Sequence, residues 1–113
     1  MEKQDAIAAL ASLAQDTRLD VFRLLVRAGL EGLPAGEVGA ALDLPSATLS
    51  FHLKELKSAR MVACERRGRS RIYRPDFETI DALMRFLTEN CCQGVASGSS
   101  GGAPAASRRR ETS

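Results

Sequence analysis

A mainly α domain with one small β-hairpin, in the order α-α-α-α-β-β-α, follows from three observations in the 113 residues. Apolar residues recur at three- and four-residue spacing up to about residue 90, the period of amphipathic helices. Two short helices joined by a proline-bounded turn sit in the middle of the chain. Directly after them a basic stretch around Gly68 takes on the alternation of β-strands. A short helix pair followed by a hairpin is the plan of a winged helix-turn-helix domain.

The elements come in order. Ile7, Leu10, Leu13 and Ala14 give the first helix its stripe. Asp16 is placed to N-cap the second, whose stripe is Leu19, Phe22, Leu25 and Val26. Gly29 and Gly32 break the chain, and Pro34 opens a short third helix carrying Val38, Ala41 and Leu42. Pro45 or Ser46 starts the fourth. Met61–Arg66 and Arg71–Arg74 read as strands around Arg67-Gly68-Arg69-Ser70, where Gly68 supplies a positive φ. Pro75-Asp76 opens a last helix with Ile80, Leu83, Met84 and Leu87 on one stripe, flanked by Phe77 and Phe86. Beyond Val95 no residue is large and apolar, so 1–93 reads as one domain and 94–113 as a disordered tail.

Composition narrows the class. The chain is 44% hydrophobic and 27% charged, as an ordinary globular domain is. No apolar stretch approaches the roughly 18 residues of a membrane span. The start, Met1-Glu2-Lys3-Gln4-Asp5, lacks the basic-then-apolar pattern of a signal peptide, so a cytoplasmic location is expected. Thiols stay reduced there, and the three cysteines read as ligands or redox groups rather than structural disulfides. No phosphate-binding loop, paired nucleophile and base, or metal-activating set is visible, so no enzyme and no organic cofactor are expected.

The net charge of +2 is unevenly spread. Residues 1–53 carry −3, residues 54–74 carry +6, residues 75–93 carry −3 and the tail carries +2. A basic block between acidic stretches fits an anionic partner met by one surface; it also fits a solvated charged hairpin.

The fourth helix separates these readings. With Leu49 at zero on a wheel of about 100° per residue, Leu53 and Leu56 fall within roughly 40° and form a buried stripe. Ala47, Ser50, Phe51 and Lys54 point the other way, with Thr48, His52 and Lys57 on the flanks. Hydroxyls reach base edges or phosphates, lysines reach phosphates, and an apolar ring meets thymine methyls. Phe51 on a polar face is hard to explain as structure alone, the other use being packing against a neighbouring helix or a partner. The hairpin adds Arg67, Arg69 and Arg71, which suit the phosphate backbone or the minor groove. Helix and wing together point to double-stranded DNA.

Three segments carry a resemblance. Leu13-Ala14-Gln15-Asp16-Thr17-Arg18-Leu19, Ser46-Ala47-Thr48-Leu49-Ser50-Phe51-His52-Leu53-Lys54-Glu55-Leu56 and Arg67-Gly68-Arg69-Ser70-Arg71-Ile72-Tyr73 resemble the ArsR-type metalloregulatory repressors over roughly residues 5–93. The resemblance implies a homodimer paired through the first and last helices, bound to a palindromic operator and released by an inducer. On the matching motif it implies Ser46, Thr48, Ser50, His52 and Lys54 as DNA contacts.

Cys91 and Cys92, adjacent at the exit of the last helix, are poorly placed for packing and well placed to share one soft ion. Leu87-Thr88-Glu89-Asn90-Cys91-Cys92 resembles the arsenic-responsive branch of that family, where such a pair binds trivalent arsenic or antimony. That branch usually adds a third cysteine a few residues on, and Gln93 to Gly102 contain none. Arsenite, methylarsenite and antimonite are the expected inducers, and a methylated arsenical, which needs only two thiolates, gains weight. Cys64, on the first wing strand, lies some 15 residues of helix from Cys91, roughly 22 Å at about 1.5 Å per residue. It is a candidate third ligand only across a dimer. The last helix has no His, so no His/Asp zinc site is available there. Two further readings stand: a thiol-redox switch built on the same cysteines, and a winged helix used for protein contacts.

Overall fold

The computed structural model describes residues 1–95; the tail expected over 94–113 lies, from residue 96 onward, outside them. Five helices and three strands follow one another: α1 (Lys3–Leu13), α2 (Asp16–Ala28), β1 (Leu33–Pro34), α3 (Ala35–Leu42), α4 (Ser46–Ser58), β2 (Val62–Arg67), β3 (Ser70–Pro75) and α5 (Phe77–Thr88). This is the expected winged helix-turn-helix with two additions, a single 3-10 turn over Gly29–Glu31 and the two-residue strand β1.

The helix ends follow local chemistry. Gln15, one residue before the expected cap, accepts the Arg18 amide N–H and starts α2. Asp43 ends α3 in the left-handed region (φ 55°), and Pro45 leads directly into α4. Asp76 accepts the Thr79 amide at 3.1 Å and starts α5. β2 and β3 are joined by Gly68-Arg69, with Gly68 at φ 60° as the tight turn requires.

The sheet order is β1-β3-β2, all antiparallel. Leu33 pairs with Tyr73, and Cys64 pairs with Tyr73 from the other side. β1 is reached through Gly32, at φ 73°, where an added Cβ would press on the β3 backbone. The core joins Val21, Phe22 and Leu25 of α2, Val38 of α3, Leu49, Leu53 and Leu56 of α4, Met61, Val62 and Leu83. The α4 stripe is therefore buried as its spacing requires, at 3%, 2% and 0% exposure.

Three stripes differ from expectation. In α1 the buried residues are Ala6, Ala9 and Ser12, while Ile7 and Leu10 are exposed. In α2 Val21 joins the buried set, and Leu19 and Val26 face out. In α5 only Leu83 is buried, with Met84 and Leu87 exposed. Small residues let α1 approach its neighbours closely, which leaves its larger apolar side chains outside the core. No helix among the described residues is long and apolar enough to cross a membrane.

Candidate nucleic-acid interface and thiol pair

α4 presents its outer face to solvent. Ser46, Ala47, Thr48, Ser50, Phe51, Lys54 and Lys57 are all exposed, opposite the buried leucines. Phe51 is 55% exposed despite its size. Its ring is held from within the domain: the Arg18 guanidinium carbon lies 5.9 Å from the ring centroid, and Arg18 Nη1 lies 3.7 Å from Glu55 Oε1. Arg18 thus spans from the start of α2 to two successive turns of α4. That link was not legible in the sequence, because it depends on how two separate helices pack.

His52, expected on the flank of α4 as a DNA contact, is buried instead. It is 8% exposed, edge-on to Phe51 with centroids 5.4 Å apart, and its Nδ1 has no hydrogen-bond partner. On the wheel it sits about 60° from Leu49, at the margin of the apolar stripe, and the packed neighbours extend the buried region over it. In this arrangement it supports Phe51 rather than reaching outward.

The wing places its arginines unequally. Glu65 binds Arg74 at 2.8 Å and Arg67 at 3.3 Å. Its carboxyl is held below the usual range, first by the Arg67 hydrogen bond and then by Arg74. Arg67 is therefore partly neutralised within the hairpin. Arg69 and Arg71 are exposed and form no ion pair among the described residues. They are the wing cations most available to an outside anion.

The thiol pair lies just past α5. Cys91 and Cys92 are exposed in a turn in which the Cys91 amide donates to the Thr88 carbonyl at 3.0 Å and Cys92 takes φ 68°. The Cys92 thiol, by hydrogen bond and then by charge repulsion, pushes the Cys91 thiol above its ordinary value. The two sulfur groups are close enough to interact. Cys64 is not brought to them: it is half-buried on β2, beside Tyr73, and no group of three metal-ligating side chains exists among the described residues.

Comparison with known proteins decides the class. Residues 13–65, from the end of α1 into β2, match the helix-turn-helix domain family. The domain is also similar to the homodimeric winged helix-turn-helix DNA-binding domain of a possible ArsR-family regulator from Mycobacterium bovis, with TM-score 0.63, 25% identity and coverage of 74% of this chain and 75% of that one. It carries the winged helix-turn-helix fold of ArsR-family transcriptional regulators. Within that fold, the antimony-specific transcriptional repressor AntR is similar at TM-score 0.60 and 29% identity, covering 76% of this chain and 77% of that one. An uncharacterized HTH-type transcriptional regulator of Bacillus subtilis, YdfF, is 35% identical over 83 residues, which are 72% of this chain and 36% of that protein. The chain thus spans little more than a third of the length of that curated relative. The winged helix-turn-helix fold and these relatives are those of transcriptional regulators rather than enzymes.

Proposed function

We propose that the protein is a cytoplasmic, homodimeric transcriptional repressor that binds double-stranded operator DNA through α4 and the wing. Trivalent arsenic or antimony, bound by Cys91 and Cys92, releases it. The observation that carries the DNA-binding reading is the outward face of α4. Ser46, Thr48, Ser50, Phe51 and Lys54 stand opposite a fully buried leucine stripe, with Arg71 across a cleft from Ser50 and Lys54 and Arg69 exposed at the wing turn. A helix with this face fits the major groove, and a wing with free arginines fits the adjacent phosphates and minor groove. Ala47 and Lys57 lie on the same side, Arg67 contributes less than its neighbours, and His52 acts from beneath.

The inducer follows from thiol chemistry. Two interacting thiols offer a soft two-ligand site, which suits a trivalent arsenical or antimonial. The similarity to an antimony-specific repressor, and at 26% identity to a possible transcriptional regulator for arsenical resistance, supports the same class. Cys64 belongs to the wing in this reading and is not needed as a ligand. Release is a coupling: an inducer that binds the free dimer better than the DNA-bound one weakens DNA binding by the same factor.

Ser50→Ala and Arg69→Ala are each expected to lower affinity for the DNA upstream of the gene by roughly 5- to 100-fold, the range of one base-edge or groove contact. Fluorescence anisotropy reads this directly. Wild-type affinity in both variants would assign the exposed face to protein contacts instead.

A further inference from the structure

Between α4 and β3 lies a cleft of about 260 Å³ lined by Ser50, Lys54, Lys57, Arg71 and Tyr73. Its wall holds three cations, two hydroxyls and no carboxylate. None of Lys54, Lys57 and Arg71 forms an ion pair among the described residues. Cations gathered without a counter-charge repel one another, so the cleft gains by taking up an anion.

Its location says which anion. When a helix lies in the major groove and a wing in the neighbouring minor groove, they straddle one sugar-phosphate strand. Groups placed between helix and wing face that strand. Starting from the DNA-binding reading above, on which this inference rests, we infer that the cleft between α4 and β3 seats one backbone phosphodiester. Lys57 and Arg71 supply charge, and Tyr73 and Ser50 supply neutral hydrogen bonds.

Tyr73 is the residue that the sequence did not single out. Its ring packs against the core and its backbone is fixed by pairing on both sides, to Leu33 and to Cys64. Burial, and then the Cys64 thiol hydrogen-bonded to it, hold its hydroxyl above the ordinary phenol value, so it stays protonated. A hydrogen bond that favours the neutral phenol is one the phenol donates. The Tyr73 O–H therefore points to the Cys64 sulfur in the free protein and turns to a phosphate oxygen when the cleft is filled, while Arg71, bonded to the same hydroxyl, stands beside it.

Phosphate contacts are sequence-independent, so a random-sequence duplex is a sufficient probe. Lys57→Gln is expected to lower its affinity about tenfold and to reduce the slope of log K against log salt by about 0.9, one phosphate's worth. Tyr73→Phe keeps the packed ring and removes only the hydroxyl. A loss of about 3- to 10-fold with an unchanged salt slope is expected, since a neutral donor releases no counterion. On the DNA upstream of the gene, which fixes the register, replacing single phosphates by uncharged methylphosphonate locates the seat: wild type loses affinity at each contacted position, and at the seat alone Lys57→Gln loses nothing further. Wild-type affinity and slope in both variants overturn the seat. If inorganic phosphate perturbs Tyr73 by NMR while both variants bind duplex as wild type does, the cleft holds a free anion, and the seat is overturned too. A wild-type protein that binds no duplex at all overturns the DNA-binding reading and the seat together.

Discussion

A Met84→Glu variant is expected to stay folded, to sediment as a monomer and to lose operator affinity by roughly 100-fold or more. Met84 is 55% exposed and Leu87 is 52% exposed on α5, continuing the stripe begun by buried Leu83. On α1, which packs against α5, Ile7 and Leu10 are 51% and 44% exposed beside the buried Ala6 and Ala9. Four large apolar side chains on two adjoining helices form the kind of surface that proteins cover with a partner. A second copy brings the same two helices to it, an isologous arrangement. A glutamate there is solvated in the monomer, so folding is preserved, but it must be desolvated in the dimer. A dimer reads two half-sites, and the second is bound at high effective concentration once the first is held. The monomer forfeits that gain. Sedimentation and anisotropy on one preparation test both halves; a dimeric Met84→Glu places the interface elsewhere.

Gly32→Ala is the substitution expected to damage the fold most. Gly32 takes φ 73°, where a side chain is strained, and an added Cβ would lie 2.7 Å from the Tyr73 carbonyl oxygen and 2.9 Å from Ile72 Cγ2. The first contact is to backbone, so relief requires β1 to move away from β3. Strain at a left-handed position and overpacking each cost about 1–3 kcal/mol, so a loss of about 2–6 kcal/mol is expected in urea unfolding. Gly68→Ala, at φ 60° with open space around it, keeps only the conformational part and should lose about 1–2 kcal/mol. Equal losses in the two variants would mean that the β1–β3 approach carries no stability of its own.

What could be read from the residues tracks how local the cause is. α4 was legible because Leu49, Leu53 and Leu56 follow the helical period and meet one core. The hairpin was legible because Gly68 marks its turn and the strands flank it. β1 was not: two residues have no period, and Leu33-Pro34 is a strand only because β3 lies beside it. The helices α1 and α5 were legible, but the direction of their apolar faces was not. Ile7, Leu10, Met84 and Leu87 have the spacing of core residues and are exposed in the single chain. Periodicity reports that a face is apolar, not whose surface will cover it. At the site, the outer side chains of α4 and the adjacent cysteines followed from position alone. His52, Arg18 and Tyr73 did not, because the burial of the first, the Phe51 and Glu55 contacts of the second and the Cys64 pairing of the third depend on tertiary packing.

The central claim is that one DNA-binding surface is governed by the Cys91–Cys92 thiols. Its most direct test is anisotropy of the protein on its upstream DNA, titrated with arsenite, methylarsenite, antimonite and zinc, in wild type and Cys91→Ser. Release by at least one trivalent arsenical or antimonial, with none by zinc and none from Cys91→Ser by any compound, is the expected result. Release of Cys91→Ser by every compound that releases wild type, or release of wild type by oxidant and by no arsenical or antimonial, would contradict it.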